Sequence, residues 1–308
     1  MSITCLLVVR KDGSDQRAVD LVKYEPGADY DPDNWRDPAY TENNRACFGC
    51  NVDVLDNGEI LFPMDAAVDS CCRILGLDVN EVFPSCPHIM HGMIVAWGRF
   101  NETRGNYDLT FSRPIVISDL KSSRGVNEST AIMLSSGRIV AVFRGSNVQS
   151  EDRNTRIEPG TPGHKWYCWS DDGGKIFTDP APCHFDDREV FYSPSSRSNL
   201  IRSIKNQKVY WIGNISDHTA YSDDPRYPLI IAEVNDRGLL IKDSVTTIDT
   251  RREGDSDRIA LSDPGILQDR ETGLIELYLN RWRQREEFKY WADCYRYFID
   301  VDGEAAQE

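Results

Sequence analysis

Short apolar runs alternate with tight polar turns along most of this chain, and the unit repeats. Residues 55–62 place Asn57-Gly58 between strand formers, the dipeptide favoured by two-residue hairpin turns. The plan returns at 134–143 around Ser136-Gly137, at 204–212 around Asn206-Gln207, and at 267–279 around Thr272-Gly273. Turn centres near 58, 137, 207 and 273 give a repeat of 66 to 79 residues. More polar hairpins lie between, at 10–13, 170–177 and 234–239. Apolar hairpins suit strands covered on both faces, and polar ones suit strands with one face in water. An inner and an outer hairpin make a four-stranded blade, and blades repeated around an axis make a propeller. The pattern therefore predicts an all-β fold, with residues 1–308 forming a single domain.

Helical periodicity is sustained nowhere. The one amphipathic candidate is 281–291, a short helix or a loop leading to a last strand at 294–301. Residues 25–44, rich in Asp, Pro and Asn, read as a long loop or insertion between strands.

Composition narrows the function classes. The chain has 308 residues, 40% hydrophobic and 28% charged, room for a sizeable core. The longest apolar runs, such as 93–97, are strand-sized and far below the roughly 20 residues of a membrane span. Net charge is −15 and no basic run occurs, so nucleic acid and anionic membrane are poor partners. A small anionic ligand requires a few arginines to converge against the global field.

Nine cysteines include a lone Cys47-x-x-Cys50 and the adjacent Cys71 and Cys72. Cys86, His88 and His91 lie close in sequence, but the spacing of a zinc site is incomplete. The expectation is reduced thiols, with no metal and no cofactor. The first ten residues lack a basic start and a long apolar stretch. They read as a strand, either of a cytoplasmic protein or of a secreted or periplasmic chain whose natural beginning is missing.

Two motifs carry a family resemblance. Ser170-Asp171-Asp172-Gly173-Gly174-Lys175-Ile176-Phe177 fits S-x-D-x-G-x-x-F and resembles the Asp-box of sialidases and related propellers, a self-bonded turn with a structural role. The segment from Asn127-Glu128 through the 134–138 turn to Arg144 resembles the N-E-x-x-hairpin-R segment of exo-sialidases. Antiparallel pairing returns Arg144 to the edge where Glu128 begins. The resemblance covers roughly 45–280 and implies a six-bladed sialidase-like β-propeller, with a late start or without the family's first blade. It implies a glycoside hydrolase acting on an acidic sugar. Glu128 would be the helper base that polarises a tyrosine nucleophile. Arg144 would be a clamp for the substrate carboxylate. The 193–214 segment resembles the next inner hairpin, and Arg226 at the head of 226–234 would be a second clamp. A solvated loop arginine is the other reading of Arg226.

The resemblance breaks at two places. Where the family's tyrosine is expected, 259–265 reads Ile-Ala-Leu-Ser-Asp-Pro-Gly. Asp263 is the candidate there, as carboxylate nucleophile or as base for a water, or simply as part of an Asp-Pro-Gly turn. The family's first-blade arginine and acid have no counterpart before residue 49. Asp65, which ends an inner strand just after Phe62-Pro63-Met64, and Arg45, before that strand, are the candidate acid and arginine. The competing class is a non-catalytic propeller that binds a glycan or a protein partner. Oligomeric state is open.

Overall fold

The computed structural model describes residues 5–9, 17–25, 31, 33–34, 36–84, 91–149, 156–285 and 291–302, with side chains from Leu21 onward. Its strands form four blades. Blade 1 holds β3 (Ala46–Phe48), β4 (Asp53–Val54), β5 (Ile60–Ala67), β6 (His91–Asn101) and β7 (Asn106–Phe111), with β3 and β4 both paired to β5 as one interrupted inner strand. Blade 2 is β8 (Asn127–Met133), β9 (Ile139–Arg144), β10 (Lys165–Ser170) and β11 (Ala181–Pro182). Blade 3 is β12 (Asn199–Arg202), β13 (Val209–Asn214), β14 (Leu229–Val234) and β15 (Thr246–Asp249). Blade 4 is β16 (Gly265–Gln268), β17 (Ile275–Asn280) and β18 (Cys294–Ile299). A separate pair, β1 (Cys5–Val9) with β2 (Arg17–Leu21), precedes them. The chain leaves β2 through Val22 and Tyr24, which pack into blade 1.

The second strands of blades 2 and 3 are mostly apolar because each is covered on both faces. On β9, Val140 and Val142 face blade 3, while Ile139, Ala141 and Phe143 face blade 1. On β13, Val209 and Trp211 face blade 2, while Tyr210 and Ile212 face blade 4. The side-chain period of two thus builds one core at each seam from blade 1 to blade 4 along the chain. Gly58 and Gly137 close their inner hairpins at φ 78° and 83°, conformations that a side chain disfavours. The 170–177 turn bonds to itself: Ser170 Oγ donates to Asp172 Oδ1 at 2.6 Å, and Asp172 Oδ1 accepts the Lys175 and Ile176 amides at 2.9 and 3.1 Å.

Three expectations change. The described residues form four blades, not six. The turns at 58, 137, 207 and 273 each close one inner hairpin, and six repeats of that length exceed 308 residues. Helices occur where no periodicity was sustained: α1 (Pro38–Asn43) inside the 25–44 loop, α2 (Val68–Leu75) directly after β5, and α3 (Val79–Val82). α2 is short, but Val68, Cys71 and Cys72 are spaced to share one buried face, and Gly76 ends it in the left-handed conformation. Residues 281–285 form no helix. Arg281 is buried and Trp282 bridges Ala260. Residues 286–290 lie outside the described residues, as do the 10–13 turn, Cys86 and His88. No helix among the described residues is long and apolar enough to cross a membrane.

Candidate functional site

Inner strands β3, β8, β12 and β16 all begin at the same end of the axis. The candidate residues lie at that end: Arg45 before β3, Glu128 in β8, Asp263 before β16, and Arg144 at the returning end of β9. Below them the axis opens into a cavity of about 580 Å³ lined by Asn51, Asp53, Asn199, Arg202 and Leu267 among others.

Glu128 sits in a β-bulge. The β8–β9 register runs from Asn127 opposite Arg144 to Thr130 opposite Val142, and Glu128 takes φ 51°. A bulge leaves amides without ladder partners. Asp65, from β5 of the neighbouring blade, supplies them. Its Oδ2 accepts the Glu128 N–H at 2.6 Å, and its Oδ1 accepts the Ser129 hydroxyl at 2.5 Å and the Ser129 N–H at 3.4 Å. Asp65 is only 4% exposed, and burial pushes its carboxyl up to about 6 although these donors pull it down. With both oxygens turned to the bulge, it holds the Glu128 backbone. It lies on the second strand of its blade, not at the end of the inner one.

The Glu128 side chain points the other way. Arg144 Nη1 donates to its Oε1 at 3.0 Å, the pair being 12% (Arg144) and 30% (Glu128) exposed. Glu128 Oε2 is buried with no hydrogen-bond partner among the described residues. A buried carboxylate oxygen left unpaired is costly unless a further donor arrives.

Arg226 occupies the seam of blades 3 and 4. Its Nη2 donates to the Ser195 carbonyl at 3.0 Å and its Nη1 to Ser262 Oγ at 3.2 Å. Ser262 Oγ donates in turn to Asp263 Oδ2 at 2.7 Å, and Asp263 lies 3.5 Å from Arg226 Nη1. Asp263 has φ 58°, so both candidate carboxylates stand on left-handed backbone, a strain that concentrates at functional positions. Asn214, fully buried, fixes this seam by donating from Nδ2 to the carbonyls of Arg226, Pro228 and Leu261.

The two pairs are joined by the 193–198 loop. Lys165, cross-strand from Arg144, donates from Nζ to the carbonyls of Pro194 and Ser196 and to Ser196 Oγ. Ser195 then reaches Arg226 through its carbonyl and Gly145 through its hydroxyl, at 2.8 Å. An unbroken chain of contacts runs from Glu128 through Arg144, Lys165, Ser195 and Ser196 to Arg226 and Asp263. Arg45 is set apart, 3.4 Å from Asp69, at the rim near His91. The charges of Arg45, Arg124 and Arg144 help burial to lower the affinity of His91 for a proton.

Two basic residues at this mouth were not singled out from sequence. Arg197 is half-buried, donates to the Cys50 carbonyl at 3.3 Å, and leaves Nε buried without a partner among the described residues, as does Arg226. Lys165 is the other. Their only sequence signals were adjacency to Ser193-Pro194-Ser195-Ser196 and the polar start of an otherwise apolar strand. Cys50 is a protonated thiol at neutral pH, because burial pushes it up to about 12. No cluster of metal-ligating side chains occurs among the described residues. The thiols of Cys47, Cys50, Cys71, Cys72, Cys168, Cys183 and Cys294 are free.

No family model and no curated protein matches this chain. Among solved structures, a point mutant of NanB sialidase from Streptococcus pneumoniae aligns with TM-score 0.50 and 11% identity over 95% of this chain and 35% of that one. NanB with Optactamide gives 0.52 at 10% identity over the same shares. A GH43 β-xylosidase/α-arabinofuranosidase from a compost microbial metagenome gives 0.42 at 14% identity, over 78% of this chain and 71% of that one. The chain spans about a third of the length of the NanB chains. At these identities the likeness to the NanB chains shows the fold alone, a β-propeller.

Proposed function

We propose that the chain is a sialidase-like glycoside hydrolase for an acidic sugar, bound at the mouth where the Glu128–Arg144 and Asp263–Arg226 pairs meet. The observation that supports the reading is that the carboxylate–arginine pairs Glu128–Arg144 and Asp263–Arg226, with Asp223 also 3.6 Å from Arg226, are linked through Lys165 and the 193–198 loop. In a chain of net charge −15, a local cluster of arginines is what an anionic ligand requires. Arg144 and Arg226 grip the substrate carboxylate, each with a fork of donors suited to two parallel bonds. The unpaired Nε groups of Arg197 and Arg226 gain their missing acceptor from it.

In this reading Glu128 Oε2 accepts a proton from a hydroxyl or water brought beside it, and Oε1 remains on Arg144. Asp263, the more exposed carboxylate of the site at 42%, stands where the resemblance implies a tyrosine. It acts as base for the attacking water or as carboxylate nucleophile, and in either case the glycosidic C–O bond breaks and the departing oxygen leaves as an alcohol with a proton from water. Ser262 and Arg226 orient Asp263. Asp65 positions Glu128 through its backbone, and Arg45 contributes positive potential at the rim.

The second reading, a propeller that binds a glycan or protein without cleaving it, is favoured by two observations. Both carboxylates rest in arginine pairs, and no tyrosine stands in 259–265. A hydrolysis screen against fluorogenic sialosides, uronides and neutral glycosides separates the two. The enzymatic reading expects turnover of a carboxylated substrate that Glu128→Gln and Asp263→Asn each abolish. Binding of the acidic sugar without turnover of any substrate leaves the binding module.

A further inference from the structure

Lys165 is a fully buried ammonium with no carboxylate bonded to it among the described residues. Burying such a charge is expensive without compensation. Its three donors meet three oxygens, those of Pro194, Ser196 and the Ser196 hydroxyl, and an ammonium offers three donors and no acceptor. All three oxygens belong to the loop whose next carbonyl, at Ser195, holds Arg226, and whose following residue is Arg197. Across the β9–β10 pairing Lys165 lies opposite Arg144. One side chain thus ties the blade that carries one guanidinium to the loop that supports two others.

We propose that Lys165 is a positioning residue whose ammonium clamps the 193–198 loop and thereby sets Arg226 and Arg197 relative to Arg144 for anion binding. The clamp is protonation-dependent. A neutral amine has two donors and a lone pair, so one of the three oxygens would face that lone pair and repel it. Burial pulls the Lys165 amine down to about 7. The charged or titratable groups around it are Glu128 and Cys183, which favour its charge, and Arg144 and Arg226, which oppose it. The clamp is therefore closed below neutral pH and loosens above it. Its relevance to ligand binding rests on the acidic-sugar reading, but the clamp itself does not.

The test has two arms. In the ligand-free protein, the Nε–H resonances of Arg226 and Arg197 are followed by NMR from pH 6.5 to 9, alongside the Lys165 Cε resonance. All three are expected to shift with one midpoint, and the arginine shifts are expected to vanish in Lys165→Met. Arginine resonances that ignore the Lys165 titration overturn the clamp, and this wild-type result stands even if the variant does not fold. In the second arm, N-acetylneuraminic acid is the probe for calorimetry. Its affinity is expected to fall about thirtyfold from pH 6 to 8.5 as one proton is lost, and to be flat over that range in Lys165→Met. A flat wild-type profile with binding intact overturns the clamp. Coupled resonances with no binding at any pH support the clamp and remove the acidic-sugar reading instead.

Discussion

Asp65 Oδ2 accepts the backbone N–H of Glu128 at 2.6 Å across 63 residues of sequence, so a side chain of blade 1 fixes the backbone of the candidate base in blade 2. The bulge at Glu128 exists because blade 1 satisfies the amides that β9 does not. Asp65→Ala leaves the Glu128 and Ser129 amides and the Ser129 hydroxyl without their acceptor. A loss of at least about 2 kcal/mol is expected from unpaired buried donors, measured by urea unfolding. Unchanged stability would mean that the bulge does not depend on this carboxylate.

The same group gives a pH signature. Its folded value of about 6 lies above the roughly 3.9 of a free Asp. Between these values the folded state holds the extra proton, so this contribution to stability falls as pH rises from about 4 to 6 and is constant above. The stability of wild type minus that of Asp65→Asn, followed across that window by chemical denaturation, is expected to decrease with pH. A difference that rises or stays level contradicts the assignment.

Glu128 stands on left-handed backbone at φ 51°, which costs a non-glycine residue about 1 kcal/mol. Glu128→Gly is therefore expected to be more stable than Glu128→Ala by about that amount, with both inactive. Equal melting temperatures for the two variants would show that the bulge relaxes without the side chain.

Away from the site, Arg281 is fully buried between Asp249 and Asp255, themselves nearly inaccessible, and Tyr297 also donates to Asp249, at 2.5 Å. Arg281→Met leaves buried Asp255 without a cation and Asp249 with only Arg252, 3.2 Å away, and a loss of about 3 kcal/mol is expected. A milder loss, read by the same unfolding experiment, would place water in that site.

Hairpins and the Glu128–Arg144 pair were legible in the sequence for a physical reason. Turn residues such as Asn57-Gly58 act locally, and a hairpin of fixed length must bring its two ends to one edge. Blade number was not legible. The count of six came with the resemblance, whereas the chain's own turns numbered four. α2 escaped notice because only Val68, Cys71 and Cys72 mark its buried face. Asp65 was legible as an acid near a strand end, but its partner is a bulge in another blade. Arg197 and Lys165 carried no signal of their own. A single basic residue gains meaning only when the blades bring it beside others, and that is a property of the tertiary fold.

The central claim is that Arg144 and Arg226, from different blades, bind one carboxylate. Titration calorimetry with N-acetylneuraminic acid and with its methyl ester tests it most directly. The acid is expected to bind at least about tenfold more tightly than the ester, a difference of roughly 1.4 kcal/mol, and Arg144→Ala or Arg226→Ala is expected to remove that preference while leaving the melting temperature within a few degrees. Equal binding of acid and ester, or a preference that survives both substitutions, contradicts it.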